Sequence, residues 1–188
     1  MAHIPLPGGA SGMRALLAFR PEVAQPIADL TNTLLHAPNS LTAGERELIA
    51  AYVSSLNDCT FCHDSHAAIA SWHFGNDEAF VTSVVTNPGT AVISDKLKAL
   101  LDIAARVQQS GSLVRPIDVE HARQKGATDV EIHDTVLIAA AFCMFNRYVD
   151  GLAAGSSSDP TSLRERARLV AEHGYSISLP QPTRSLPT

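Results

Sequence analysis

Aromatic residues make up only 5% of this 188-residue chain, and there are just three cysteines. An odd and small cysteine count excludes a secreted fold stapled by disulfides. Lys and Arg form no run beyond the interrupted Arg164, Arg166, Arg168 set, and the net charge is -5. Neither nucleic acid nor an anionic membrane surface is therefore an expected partner. The longest uninterrupted apolar run, Val136 to Phe145, is too short to span a bilayer and suits a buried helix. The opening Met1-Ala-His-Ile-Pro-Leu-Pro lacks the basic segment and apolar stretch of a secretory signal, which gives a cytoplasmic expectation.

What is present fits one domain spanning 1–188: hydrophobic residues are 45% and charged residues 18%, enough to bury a sizeable core. Pro and Gly gather at the ends and at a few points between. Apolar residues there recur at helical spacing, which predicts helices near 22–36, 42–57, 59–73, 77–86, 94–109, 116–125, 129–153 and 161–173. Strand-like alternation occurs only in Tyr175-Ser-Ile-Ser-Leu179, inside a Pro-rich end. The expected fold class is all-α, with extended arms at 1–20 and 174–188.

Thr42-Ala-Gly-Glu45 has the spacing of a capping box, which accounts for Glu45. Glu47 has two readings. It is a surface acid favoured by the helix dipole, or it belongs to a site. Asn57-Asp58 ends one predicted helix and can cap the next, putting Cys59 and Cys62 in a first turn, where free amides favour a thiolate. At about 100° per residue, Cys59, Cys62 and His66 share one stripe. If the two helices form a hairpin, Glu47 lies about 15 Å and His66 about 10 Å from the turn, within about one helical turn of each other. Carboxylate, imidazole and thiol then stand in the order that activates a nucleophile. By the dipole alone Cys59 is the more acidic and exposed thiol; nearness to the His66 base favours Cys62 as the attacking one.

Other features have plainer readings. Cys143 sits in an apolar run as inert core, and His36, His121, His133 and His173 lack ligand spacing and read as surface or capping residues. Trp72, His73 and Phe74 read as helix-end packing, and Arg147 with Asp150 as an i, i+3 ion pair. Cys59-Thr-Phe-Cys62-His63 fits the c-type haem pattern by coincidence, since haem attachment needs an exported chain. Zinc is an alternative, because Cys59, Cys62, His66 and either His63 or Glu47 are acceptable ligand types. A second C-x-x-C or an H-x-x-x-H to close such a site is absent. The remaining alternative is a non-catalytic oligomer whose thiols only sense oxidation.

The run from Leu41-Thr-Ala-Gly-Glu-Arg-Glu47 through Cys59-Thr-Phe-Cys62-His-Asp-Ser-His66 resembles the alkylhydroperoxidase D-like core of the carboxymuconolactone decarboxylase superfamily. Phe145-Asn-Arg-Tyr-Val-Asp-Gly-Leu152 resembles the late helix of its "peroxidase-related" branch. The resemblance implies an all-α fold in which a helical hairpin carries the paired cysteines, assembled as a dimer, trimer or hexamer. It implies a hydroperoxide substrate, Cys62 as peroxidatic and Cys59 as resolving thiol, and Glu47 and His66 as proton relay. An external dithiol or lipoyl-type reductant then reopens the disulfide, and no bound cofactor or metal is needed. Peroxidase members often carry a His between the cysteines, where this chain has Phe61. Decarboxylase members lack the cysteine pair, so the resemblance favours peroxide chemistry over decarboxylation.

Overall fold

The computed structural model describes residues 1–8, 10–155 and 159–178, and among them the regular structure is entirely helical. The helices are α1 (Met13–Phe19), α2 (Ala24–Leu35), α3 (Ala43–Leu56), α4 (Thr60–His73), α5 (Glu78–Thr86), α6 (Asp95–Gln109), α7 (Pro116–Gln124), α8 (Asp129–Gly151) and α9 (Pro160–His173), with three short 3-10 turns. No described helix is long and apolar enough to cross a membrane.

Helix α3 is buried nearly all round and fills the centre of the molecule, with Leu48, Ile49, Ala50, Ala51 and Val53 fully buried. Its start is fixed by the predicted capping box: Glu45 N–H donates to the Thr42 hydroxyl and Thr42 N–H to the Glu45 carboxylate. Buried Arg46 then ties α3 to the end of α2, donating to the carbonyls of Leu34 at 2.9 Å and Ala37 at 2.8 Å. These bonds fix the rotation of α3 and therefore the direction in which its neighbour Glu47 points.

At the other end, Cys59 N–H donates to Ser54 O and Asp58 N–H to Ser55 O, both at 3.0 Å. This is a Schellman closure, with Asp58 in the left-handed region at φ 57°. The chain reverses at once into α4. Glu47 lies opposite His66, Ala51 opposite His63 and Ser54 opposite Cys59, so α3 and α4 form the expected antiparallel hairpin. Helices α6 and α8 pack against α3, and α9 packs against α4.

Both predicted arms depart from extended structure in their described parts. Within 1–20, Met13–Phe19 is a helix that buries Ala15, Leu16 and Leu17. The segment before it is tied to the exit of α8, through His3 N–H to Leu152 O at 3.0 Å and Gly12 N–H to Ala154 O at 2.8 Å. Tyr175–Ser178 is a 3-10 turn rather than a strand. Gly174, at φ 73°, ends α9 and turns the chain toward α2, where the Asn32 side chain accepts from Tyr175 N–H and donates to the Ser176 hydroxyl. The rest of that arm, 179–188, lies outside the described residues.

Candidate active site

Cys59 is the cap residue of α4 and Cys62 lies in its first turn. Asn57 and Asp58 do not cap this helix as expected. Asn57 instead donates to Asn146 Oδ1 at 2.8 Å and accepts from Gln108, both on other helices. Cys59 is fully buried, whereas Cys62, 6% exposed, lines a cavity of about 970 Å³. The two cysteines lie 2.9 Å apart as free thiols.

Their ionisation is split. The Cys62 thiol is held below its ordinary range chiefly by the hydrogen bond from Cys59, against the effect of burial, with help from His66 and the Asn146 amide. Cys59 is pushed far up by serving as that donor and by its own burial, with Asp150 beside it. The dipole argument from the sequence fails here because Cys59, although nearer the helix end, is sealed from water and bonded to the other sulfur. Asp150 therefore turns toward Cys59, and Arg147 donates to the Cys143 carbonyl at 2.8 Å; the predicted ion pair between them does not form.

Glu47 is buried, so the surface reading of this acid is overturned. Its Oε2 lies 2.7 Å from His66 Nδ1. An ionised carboxylate only accepts, so Nδ1 donates, leaving Nε2 as the basic nitrogen of the ring. The other carboxylate oxygen accepts from the Tyr175 hydroxyl at 2.6 Å, and the phenol oxygen lies 3.2 Å from His66 Nδ1. Burial and the Glu47 charge hold the Tyr175 phenol well above its ordinary range, so it stays protonated as a donor. Phe142 meets the His66 ring edge-on, with centroids 4.5 Å apart.

The structure thus brings together all four residues singled out from the sequence. It adds Tyr175, Asn146 and Asp150. Asn146 and Asp150 lie in the late-helix stretch that the sequence singled out, but nothing local to Tyr175 marks it. His63 faces away from the site, 3.3 Å from Ala51 O, and Phe61 takes part in the cavity wall. His36, His121, His133 and His173 are exposed, and Trp72, His73 and Phe74 are not part of the cavity wall. Cys143 is half-buried, accepting from Asn57 at 3.6 Å. Among the described residues, no three His, Cys, Asp or Glu side chains gather in a metal-holding group, so the zinc alternative gains no ligand set from the geometry.

Residues 21–106 match the carboxymuconolactone decarboxylase family, a stretch that contains Glu47, Cys59, Cys62 and His66. No curated protein matches the chain. Among solved structures, an uncharacterised peroxidase-related protein described as an alkylhydroperoxidase AhpD core, from Ralstonia eutropha JMP134, superposes with a TM-score of 0.77 at 24% identity, covering 89% of this chain and 96% of that one. An uncharacterised peroxidase-related protein from Silicibacter sp. TM1040 superposes with a TM-score of 0.76, also at 24% identity, over 84% and 93% of the two chains. A protein of unknown function from Agrobacterium tumefaciens, whose description names the antioxidant defence protein AhpD, gives 0.66 at 21% identity over 85% and 100%. The family match across the hairpin and a fold shared along most of the chain lead to one conclusion: residues 21–106 are similar to the carboxymuconolactone decarboxylase family, and the chain has the fold of the AhpD-like, peroxidase-related structures.

Proposed function

We propose that the chain is a thiol-dependent alkylhydroperoxidase in which Cys62 attacks and Cys59 resolves. One observation carries this reading: of two adjacent thiols, the one facing the cavity is the one its neighbours hold toward the thiolate. The Cys62 thiol gives its proton to His66 Nε2, the thiolate attacks the terminal peroxide oxygen, the O–O bond breaks, and the departing alkoxide takes that proton back from His66 to leave as alcohol. Cys62 is now a sulfenic acid. The Cys59 thiol gives up its proton as its sulfur displaces the hydroxyl, that proton leaves with the hydroxyl as water, and the disulfide forms. An external dithiol, a lipoyl type included, reduces that disulfide and is itself oxidised. Phe61 contributes no proton, so the relay depends on His66 with Glu47 and Tyr175 behind it.

The family also contains decarboxylases, but the sulfur pair has no evident part in that reaction. A dimer, trimer or hexamer remains part of the proposal, supported by exposed Val130, Leu137 and Met144, spaced seven apart on one stripe of α8.

Trapping the intermediate tests the scheme. With one equivalent of peroxide, Cys59→Ser should accumulate a dimedone-reactive sulfenic acid at Cys62, whereas Cys62→Ser should stay largely unlabelled at Cys59. Iodoacetamide labelling of Cys62 should have a pH midpoint below that of an ordinary thiol, and Cys59→Ala should raise it. Sulfenic acid at Cys59 formed at the wild-type rate would reverse the roles. Oxidation without turnover on lipoyl, thioredoxin or glutathione donors would leave a sensor rather than an enzyme.

A further inference from the structure

Cys59 is fully buried although the residues on either side of it, Asp58 and Thr60, are exposed. Another part of the chain must therefore cover its sulfur. The cover is an apolar cluster in which Cys59 and Cys62 pack with Leu16 of α1, Val149 of α8 and Ala154 beyond it. Leu6 packs against this cluster from the segment ahead of α1. That segment is fastened to the exit of α8 at two points. Near its start, His3 N–H donates to Leu152 O at 3.0 Å and the His3 ring lies 3.3 Å from Gly151 O; at its end, Gly12 N–H donates to Ala154 O at 2.8 Å. Between these fastenings Leu6 stands between Pro5 and Pro7. Proline fixes its own φ and pushes the preceding residue toward extended backbone, so such a strap is stiff and loses little entropy on being laid down. It lies outside the family-matched stretch, 21–106, and the thiol chemistry described above does not use it.

We infer that Leu6 is a positioning residue of the thiol pair: the strap lays it over the sulfur cluster and closes Cys59 to solvent, leaving Cys62 as the group that Cys59 meets. The division of roles between the thiols is then set partly from outside the hairpin that carries them. Reagents entering by the cavity find Cys62. Cys59 keeps its proton because it donates to Cys62 and because it is kept from water. This deepens the peroxidase reading and rests on it for the word resolving; the shielding of Cys59 itself does not.

Iodoacetamide labelling of the reduced full-length protein, read by peptide mapping, tests the shield one thiol at a time. In a Cys62→Ser background, Leu6→Ser should speed labelling of Cys59 about tenfold, the scale of a local opening that admits water and reagent. The pH midpoint of that labelling should also move down toward the range of an ordinary thiol, because burial no longer opposes the thiolate. In a Cys59→Ser background the same change should alter Cys62 labelling by less than about twofold, since Cys62 already faces the cavity. His3→Pro removes the N–H and the ring that fasten the strap and leaves every side chain of the cluster in place. It should give the same selective gain at Cys59, and it keeps the test decisive if Leu6→Ser fails to fold. Unchanged labelling of Cys59 would overturn the assignment. So would an equal gain at both thiols, because general loosening of the fold exposes them alike. Sulfenic acid trapping reports on the peroxidase reading separately: selective exposure of Cys59 without sulfenic acid at Cys62 defeats that reading alone, and sulfenic acid without selective exposure defeats only the shield.

Discussion

Tyr175 shows how one side chain far along the sequence completes a local device. Glu47 is a buried carboxylate with two partners, and burying such a charge is tolerable only when its oxygens are bonded. Tyr175→Phe takes one partner away and keeps the ring. The variant should lose about 1.5–3 kcal/mol of stability in urea unfolding, the usual scale for a hydrogen bond to a charged group. It should also slow Cys62 oxidation several-fold in stopped-flow measurements, because His66 then shares a carboxylate whose other oxygen is unmet. A stable variant oxidising at the wild-type rate would remove Tyr175 from the relay. No reading of the sequence finds this contact. Glu47, Cys59, Cys62 and His66 lie within twenty residues and one hairpin, where helical spacing dictates who meets whom. Tyr175 reaches them from more than a hundred residues away, through Gly174 and Asn32.

The helices themselves were largely legible, since eight of them carry the apolar spacing and polar punctuation that helix formation requires. Helix α1 was not, because seven residues between Gly12 and Pro21 are too short to show a period. The extended arm expected from the alternation in Tyr175-Ser-Ile-Ser-Leu179 gives way to a 3-10 turn over its described part, Tyr175–Ser178, for a related reason. Alternation over five residues is weak evidence, and side-chain bonds to α2 decide the local conformation instead. The short α1 is nevertheless structurally exacting. Gly12 adopts φ 58°, and a Cβ there would overlap the Phe61 ring; Gly155 packs against Phe61 Cβ from another side. Gly12→Ala combines left-handed strain with overpacking and should cost about 2–4 kcal/mol in chemical denaturation. Because Phe61 adjoins Cys62 and both line the cavity, the same variant should alter the rate of Cys62 alkylation. A change within about 0.5 kcal/mol would show that the ring yields freely.

At the scale of the molecule, the surface of α8 is the conspicuous departure from a self-contained domain. Val130 is 61% exposed, Met144 50% and Leu137 38%, although α8 buries its other face against α3 and α6. A helix of this length ordinarily spends its outer face on polar residues. If copies of the chain pack there, Leu137→Glu with Met144→Glu should convert the assembly to monomer in light scattering while leaving the far-ultraviolet helix signal intact. A wild-type protein that is monomeric at micromolar concentration would remove the assembly from the proposal.

The seclusion of Cys59 also gives the proposed cycle a direction in time. Once the two sulfurs are joined, an incoming thiolate reaches the cavity-facing Cys62 first, so the mixed disulfide forms there and Cys59 is the sulfur that must depart. Burial and the neighbouring Asp150 still disfavour the Cys59 thiolate at that stage, and a sulfur whose thiolate is disfavoured departs slowly. Peroxide is then consumed quickly and the protein recovers at leisure, so a burst followed by a slow steady state is the kinetic signature to expect. A thiol donor slim enough to enter the cavity would set the pace.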